Sequence, residues 1–208
     1  MGFYERHVLP RFIGCACASR PIQRQRAKIV PAATGVVLEL GFGAGLNLPY
    51  YNARRVSKVI ALEPAEGMLV RARKAAADAP PELKVEVLPE MAEAMSLPAA
   101  SVDTVLVTYS LCTIPDPHTA LESARRVLKP GGRLLFCEHG LAPDAGVSRT
   151  QRRLDPIWSK IAGGCHLSRD IPALIRQAGF AIHHMETMYL PKSPRWAGFN
   201  SWGEASAA

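Results

Sequence analysis

Three glycines at alternate positions, Gly41, Gly43 and Gly45, follow the apolar run Val36-Val37-Leu38 and the acid Glu39. A Cβ at such a turn would hold a ligand away, so the glycines bring main-chain N–H groups against it. A helix expected after the turn would aim its N-terminus and its free N–H groups at the same ligand. A nucleotide-like cofactor suits that arrangement. Glu63 ends the next apolar run, Val59-Ile60-Ala61-Leu62, where a carboxylate can accept hydrogen bonds from both ribose hydroxyls. Two cofactor classes share these features, and spacing separates them. A dinucleotide fingerprint needs GxGxxG, but its third glycine position holds Leu46 and the chain reads GxGxG. A nicotinamide oxidoreductase is disfavoured.

Metal chemistry is not expected. The five cysteines include no pair of CxxC motifs, so a zinc site has no sequence pattern behind it. Cys112 and Cys165 read as small buried hydrophobes. His183 and His184 alternate across a strand and cannot share one face.

These residues need elements to hold them. Val36 to Leu38 reads as a buried parallel strand, and Ser57 to Leu62 as a second. Ala65 to Asp78 is rich in helix formers and is stopped by Pro80-Pro81. Leu83 to Leu88 makes a third strand, followed by a loop or short helix over 89–101. Val102 with Thr104 to Thr108 is a fourth strand. Pro117 to Leu128 is a helix with proline at its start. Lys129-Pro130-Gly131-Gly132 is a turn, and Arg133 to Cys137 a fifth strand. Strands alternating with helices predict an α/β fold, a doubly wound parallel sheet. Leu141 to His166 shows no clear period. Ser168 to Ala178 reads as a helix capped by Ser168 and stopped by Gly179. Phe180 to Met188 is a strand, and Trp196 to Ala205 one more at the edge. Ahead of this core, residues 1–34 form a leader whose Pro21 to Val30 suits an amphipathic helix ended by Pro31. It packs on the core or closes over a cofactor as a lid.

With 208 residues, 48% of them hydrophobic, the chain can build one domain with a sizeable core. No apolar stretch reaches the roughly 18 residues of a membrane span. Met1 to Gly14 is interrupted by charges and a proline, unlike a signal peptide. A cytoplasmic protein with reduced thiols is expected. The net charge of +7 sits on the flanks, 1–35 and 149–208, around a nearly neutral centre. No helix-turn-helix, zinc finger or aromatic-basic interleaving supports nucleic-acid binding. The flanks read as solvated faces, compatible with acidic ligands or a peripheral membrane contact.

Four motifs now stand in order: Glu39-Leu40-Gly41-Phe42-Gly43-Ala44-Gly45, Ala61-Leu62-Glu63-Pro64 with Met68, Ser101-Val102-Asp103-Thr104-Val105, and Arg126-Val127-Leu128-Lys129-Pro130-Gly131-Gly132-Arg133-Leu134-Leu135. In this order and spacing the chain resembles the class I S-adenosylmethionine (SAM) dependent methyltransferases over about 36–138. The resemblance implies a Rossmann-like, mostly parallel seven-stranded sheet with helices on both faces, a methyltransferase domain over 35–208, and SAM as cofactor. It implies cofactor contacts at Glu39, Gly41, Phe42, Gly43, Gly45 and Asn47, at Glu63, Pro64 and Met68, at Ala92 and Glu93, and at Thr108 and Leu111. The family's acid for the adenine amine falls on Met91 here, which leaves adenine to backbone groups.

The C-terminal third carries Leu154-Asp155-Pro156-Ile157-Trp158 and Gly163-Gly164-Cys165-His166-Leu167-Ser168-Arg169. With Ser110-Leu111-Cys112 and Glu138-His139, these resemble the methyltransferase-like seven proteins, which implies thiol S-methylation. The chain lacks the hydrophobic anchoring N-terminus of the animal members, and a soluble, bacterial-type relative is expected. Acceptor-side candidates are Tyr109, Cys112, His139, Asp155, His166 and Arg169, with His139, Asp155 and His166 as the catalytic set. The expected activity is methyl transfer to a small, apolar acceptor, a thiol first. A lipid amine or another small N, O or C nucleophile is the alternative. A SAM-binding partner subunit without catalysis is a second alternative.

Overall fold

The computed structural model describes residues 17–208. The first sixteen residues of the leader, with Cys15, lie outside the described residues. Seven strands form one sheet: β1 Gly35–Leu40, β2 Val56–Leu62, β3 Val85–Leu88, β4 Val102–Thr108, β5 Leu128–His139, β6 Phe180–Tyr189 and β7 Phe199–Ala207. Their order is β3-β2-β1-β4-β5-β7-β6. The first five are parallel, and β7 runs antiparallel to β5 and β6.

The strand side chains alternate between two buried faces. Leu38, Leu40, Ile60, Leu62, Val105, Val107, Leu134 and Phe136 point to one face. There they meet helices α3 (Pro117–Val127) and α5 (Ile171–Gln177) through residues such as Leu121, Ile171 and Ile175. Val37, Val59, Ala61, Leu106, Leu135 and Trp202 point to the other, under helices α1 (Arg20–Ile29) and α2 (Glu66–Ala77). Burial on both faces is why these strands read as continuous apolar runs.

Four expectations are corrected. No α-helix follows the glycine turn; a 3-10 turn at Leu48–Tyr50 takes its place. Gly43 and Gly45 stand at φ +60° and +73°, outside the right-handed helical region, and Tyr51 is already extended at ψ 138°, so only a single turn fits between them. Residues 141–166 are not irregular: α4 spans Ala145–Ile161 with Pro156 inside it. Its fully buried residue is Gln151, which donates to the Gly140 and Trp196 carbonyls and accepts from Ala142, so no apolar period marks its inner face. α5 starts at Ile171 rather than Ser168, because Asp170 caps it by accepting the Ala173 N–H at 3.1 Å. Finally, the last strand lies inside the sheet and β6 takes the edge. Gly203 permits this, since a Cβ there would collide with the His184 carbonyl of β6.

A short α6, Arg195–Gly198, leads into β7. No helix among the described residues is long and apolar enough to cross a membrane.

Candidate active site

Beyond the carboxyl ends of β1, β2 and β4 lies a cavity of about 690 Å³. The strand order reverses between β1 and β4, the switch point where open α/β sheets bind ligands. The turn after β1 supplies Gly41 to Ala44, and the end of β2 supplies Leu62 to Met68. Glu90 to Glu93 and Thr108 to Ser110 continue the wall. Its far end is formed by Thr113, Ile114 and Pro115 with Ser159, Lys160, Gly163 and Gly164, and Cys17 and Arg26 reach it from the N-terminal side.

The three glycines answer different needs. Gly43 sits at φ +60°, and a Cβ on it would find only Met68 Cε, 3.8 Å away. Its N–H donates to Glu63 Oε2 at 2.8 Å. A Cβ on Gly45 would lie 2.7 Å from the Ala75 Cβ of α2, so this glycine serves packing. At Gly41 a Cβ would collide with Ser110 Oγ.

Glu63 also accepts the Ala65 N–H at 3.0 Å through Oε1. Each oxygen retains a second acceptor position. Burial raises its pKa against these two backbone hydrogen bonds.

Behind the turn lies a buried polar cluster. Glu39 accepts from Asn47 Nδ2 at 2.8 Å and from the Tyr51 hydroxyl at 2.6 Å. Burial pushes its pKa up to about 7 despite those bonds and the charge of Arg26. Arg26, from α1, donates to Asn47 Oδ1 at 2.8 Å and Thr108 Oγ1 at 2.6 Å. Its guanidinium lies 5.1 Å from the centre of the Tyr109 ring, and its Nε has no partner among the described residues. Tyr109 is held at φ +55°, a region a large side chain rarely enters, with its hydroxyl donating to Asn200 Oδ1 at 2.6 Å.

Of the expected cofactor residues, Gly41, Phe42, Gly43, Glu63, Pro64, Met68, Ala92, Glu93 and Thr108 line the cavity. Glu39, Gly45, Asn47 and Leu111 do not. The first three brace the turn from behind, and Leu111 is buried in the core. Sequence reasoning passes over Arg26, because a basic residue on a basic helix looks solvated. Met91 does reach the wall, while the neighbouring Glu90 gives both oxygens to Ser96.

None of His139, Asp155 and His166 lines the cavity. The structure divides them into two groups beside its far end. His166 Nδ1 and Asp155 Oδ2 are 2.9 Å apart, and Asp155 Oδ1 accepts the N–H groups of Leu167 and Ser168. Burial works to raise the Asp155 pKa, but the hydrogen bonds from His166, Ser168 and Leu167 outweigh it and hold it low. His166 follows the cavity-lining Gly163 and Gly164, and its own N–H donates to the Cys112 carbonyl at 2.8 Å. His139 instead turns Nε2 onto Cys165 Sγ at 3.1 Å, and Trp158 Nε1 donates to the same sulfur at 3.4 Å. Cys112 is buried as expected, whereas Cys165 is only partly so. Arg169 donates to the carbonyls of Leu111 and Ile114 and so pins the loop after β4. Glu138 pins it from below, accepting from Ser110 at 2.7 Å and Leu111 at 3.1 Å.

Residues 38–136 match the family model described as a methyltransferase domain. The thiol S-methyltransferase TMT1B of Rattus norvegicus is 32% identical over 78% of this chain and 68% of its own. The human TMT1B is 32% identical over 82% and 73%. A phosphatidylethanolamine N-methyltransferase of Cereibacter sphaeroides is 32% identical over 69% and 68%. Among solved structures, a SAM-dependent methyltransferase from Thermotoga maritima superposes with a TM-score of 0.66 at 21% identity, over 98% of this chain and all of the other. Identity of 32% to the TMT1B proteins across two thirds or more of both chains, on a sheet of this order, makes the chain a member of the class I SAM-dependent methyltransferases.

Proposed function

We propose that this SAM-dependent methyltransferase passes its methyl group to a small, apolar acceptor, with a thiol as the favoured nucleophile. The observation that carries this is the cavity's far end. Beyond the glycine turn and Glu63, its wall is Thr113, Ile114, Pro115, Gly163 and Gly164 with Ser159 and Lys160, so it carries a single charged side chain and no carboxylate. A compact apolar thiol suits such a wall better than a large charged substrate does. The likeness to TMT1B supports the same acceptor class.

When bound, SAM supplies an already electrophilic methyl group. The chain's residues fit it. Gly43 leaves open the space a Cβ would take, and Glu63 keeps acceptor capacity for the ribose hydroxyls. Arg26 lines the cavity and offers a cation to the carboxylate of the methionine portion. Holding donor and acceptor in line can supply roughly 7–11 kcal/mol of the barrier. A thiol with a pKa of about 8.5 needs only modest help to lose its proton. We assign that help to His166, held through Nδ1 by Asp155, with Nε2 as the proton acceptor. The leader helix α1 closes the N-terminal side of the cavity as a lid. A reducing cytoplasm suits the four free cysteines among the described residues.

The test is a methyl-transfer assay with isotopically labelled SAM over small thiols, phenols and phosphatidylethanolamine vesicles. Labelled thioether as the dominant product supports the reading. Label confined to the lipid amine would replace it with the activity carried by the name of the Cereibacter relative.

A further inference from the structure

Three donor atoms converge where no sequence motif announces them. Cys112 Sγ, from the loop after β4, His139 Nε2, at the end of β5, and Cys165 Sγ, after α4, all lie within 4.8 Å of one another. We infer that this triad binds a zinc ion as a Cys2His site with its fourth position open.

The donor set carries the assignment. Two sulfurs and one imidazole form a soft-to-borderline set, which suits zinc better than magnesium or calcium. Zinc sits about 2.3 Å from sulfur and 2.0–2.1 Å from nitrogen, so tetrahedral neighbours stand ~3.4–3.8 Å apart. The His139–Cys165 pair, now 3.1 Å apart, needs to open by roughly half an ångström to admit the ion. Three protein ligands with one position left over is the arrangement of open zinc sites.

The three donors are already held in place. Arg169 fixes the Cys112 loop through the Leu111 and Ile114 carbonyls, and Glu138 fixes it through the Ser110 and Leu111 N–H groups. His139 is locked by the pairing of β5 with Asn200 of β7. Trp158 Nε1 already points its N–H at Cys165 Sγ, the second-layer hydrogen bond that steadies a metal-bound thiolate. Trp158 is itself packed edge-on against Trp196, centroids 5.5 Å apart. Cys112 is buried, and His139 and Cys165 are partly buried. Binding releases the two thiol protons to the buffer, and His139 binds as the neutral imidazole. The ion would then tie together the loops after β4, β5 and α4, which border the far end of the cavity.

The experiment is a cobalt titration of the reduced, chelator-treated full-length chain, followed by zinc competition. The expected result is one equivalent of cobalt, a thiolate-to-cobalt charge-transfer band in the near ultraviolet, tetrahedral d–d bands, and loss of all of them on adding zinc. Cys165→Ser and Cys112→Ser should each weaken or abolish the charge-transfer band, and His139→Ala should shift the d–d bands. Circular dichroism and retained SAM binding establish that the variants fold. A folded wild-type chain that yields no charge-transfer band would overturn the assignment. So would a band of equal intensity in both serine variants, which would place the metal on other cysteines.

Discussion

The backbone N–H of Gly43 donates to Glu63 Oε2 at 2.8 Å, so the glycine turn and the acid ending β2 are one unit before any ligand arrives. The bond fixes the carboxylate of one strand to the turn of its neighbour, with the other oxygen on Ala65. The orientation of the Glu63 carboxylate is thus set by main-chain contacts within the switch point.

Replacing Glu63 by alanine removes that link and the acceptor proposed for the ribose hydroxyls. Calorimetric titration of SAM should show affinity reduced by roughly 1.5–3 kcal/mol, the range for hydrogen bonds to a charged group. A dissociation constant equal to the wild type's would remove Glu63 from the cofactor.

Gly45 makes the opposite case. At φ +73°, with Ala75 Cβ 2.7 Å from where its own Cβ would be, Gly45→Ala should cost about 1–3 kcal/mol of stability in urea unfolding. The loss belongs to folding, and a variant as stable as the wild type would contradict the packing described.

How much of this was legible in the sequence depended on range. β1, β2 and β4 were readable because strands buried on both faces are nearly continuous apolar runs, whereas β5 was readable only from Arg133: Lys129 to Gly132, read as a turn, already belong to the strand. The turn and Glu63 were readable because their partners lie about 20 residues apart in a recurring motif. α4 was not, since its inner face is organised around Gln151 rather than a leucine stripe. The inner place of β7 depends on Gly203 against His184, a pairing with no local signal. Arg26 reaches Thr108 across 82 residues, and nothing in a basic helix marks which arginine turns inward. The thiol–imidazole triad was hidden for the same reason, with its donors on three separate loops.

Arg26→Met should leave Asn47 Oδ1 and Thr108 Oγ1 without the cation that joins them. Thermal or urea unfolding should register about 1–3 kcal/mol lost, together with weaker SAM binding. Arg26→Lys should restore part of the binding and less of the stability, because a single ammonium lacks the guanidinium's forked donors. Equal behaviour of the two variants in both assays would argue against a buried bidentate role.

Glu39 gives stability a pH dependence whose sign is fixed. Its folded pKa, about 7, lies above the ordinary glutamate value of about 4.3, so the folded chain holds the proton more tightly. Its contribution is fully present below the unfolded value and lost as pH rises through about 7, a swing on the order of 3 kcal/mol. Glu39→Gln should flatten this part of the profile in urea unfolding between acid and neutral pH. A slope unchanged by the substitution would assign the effect elsewhere.

His166→Gln separates proton removal from positioning. Against thiols of graded acidity, kcat should fall steeply for the least acidic and little for those already ionised. A uniform fall across the series would make His166 a positioning residue.

The most direct test of the proposed activity is mass spectrometry of the purified chain incubated with SAM and a mixed panel of small thiols, phenols and phosphatidylethanolamine vesicles. Thioether should appear in equal amount with demethylated SAM, and both should fall together in Glu63→Ala. Tight SAM binding with no thioether, or methyl groups found only on the lipid amine, would contradict a thiol methyltransferase.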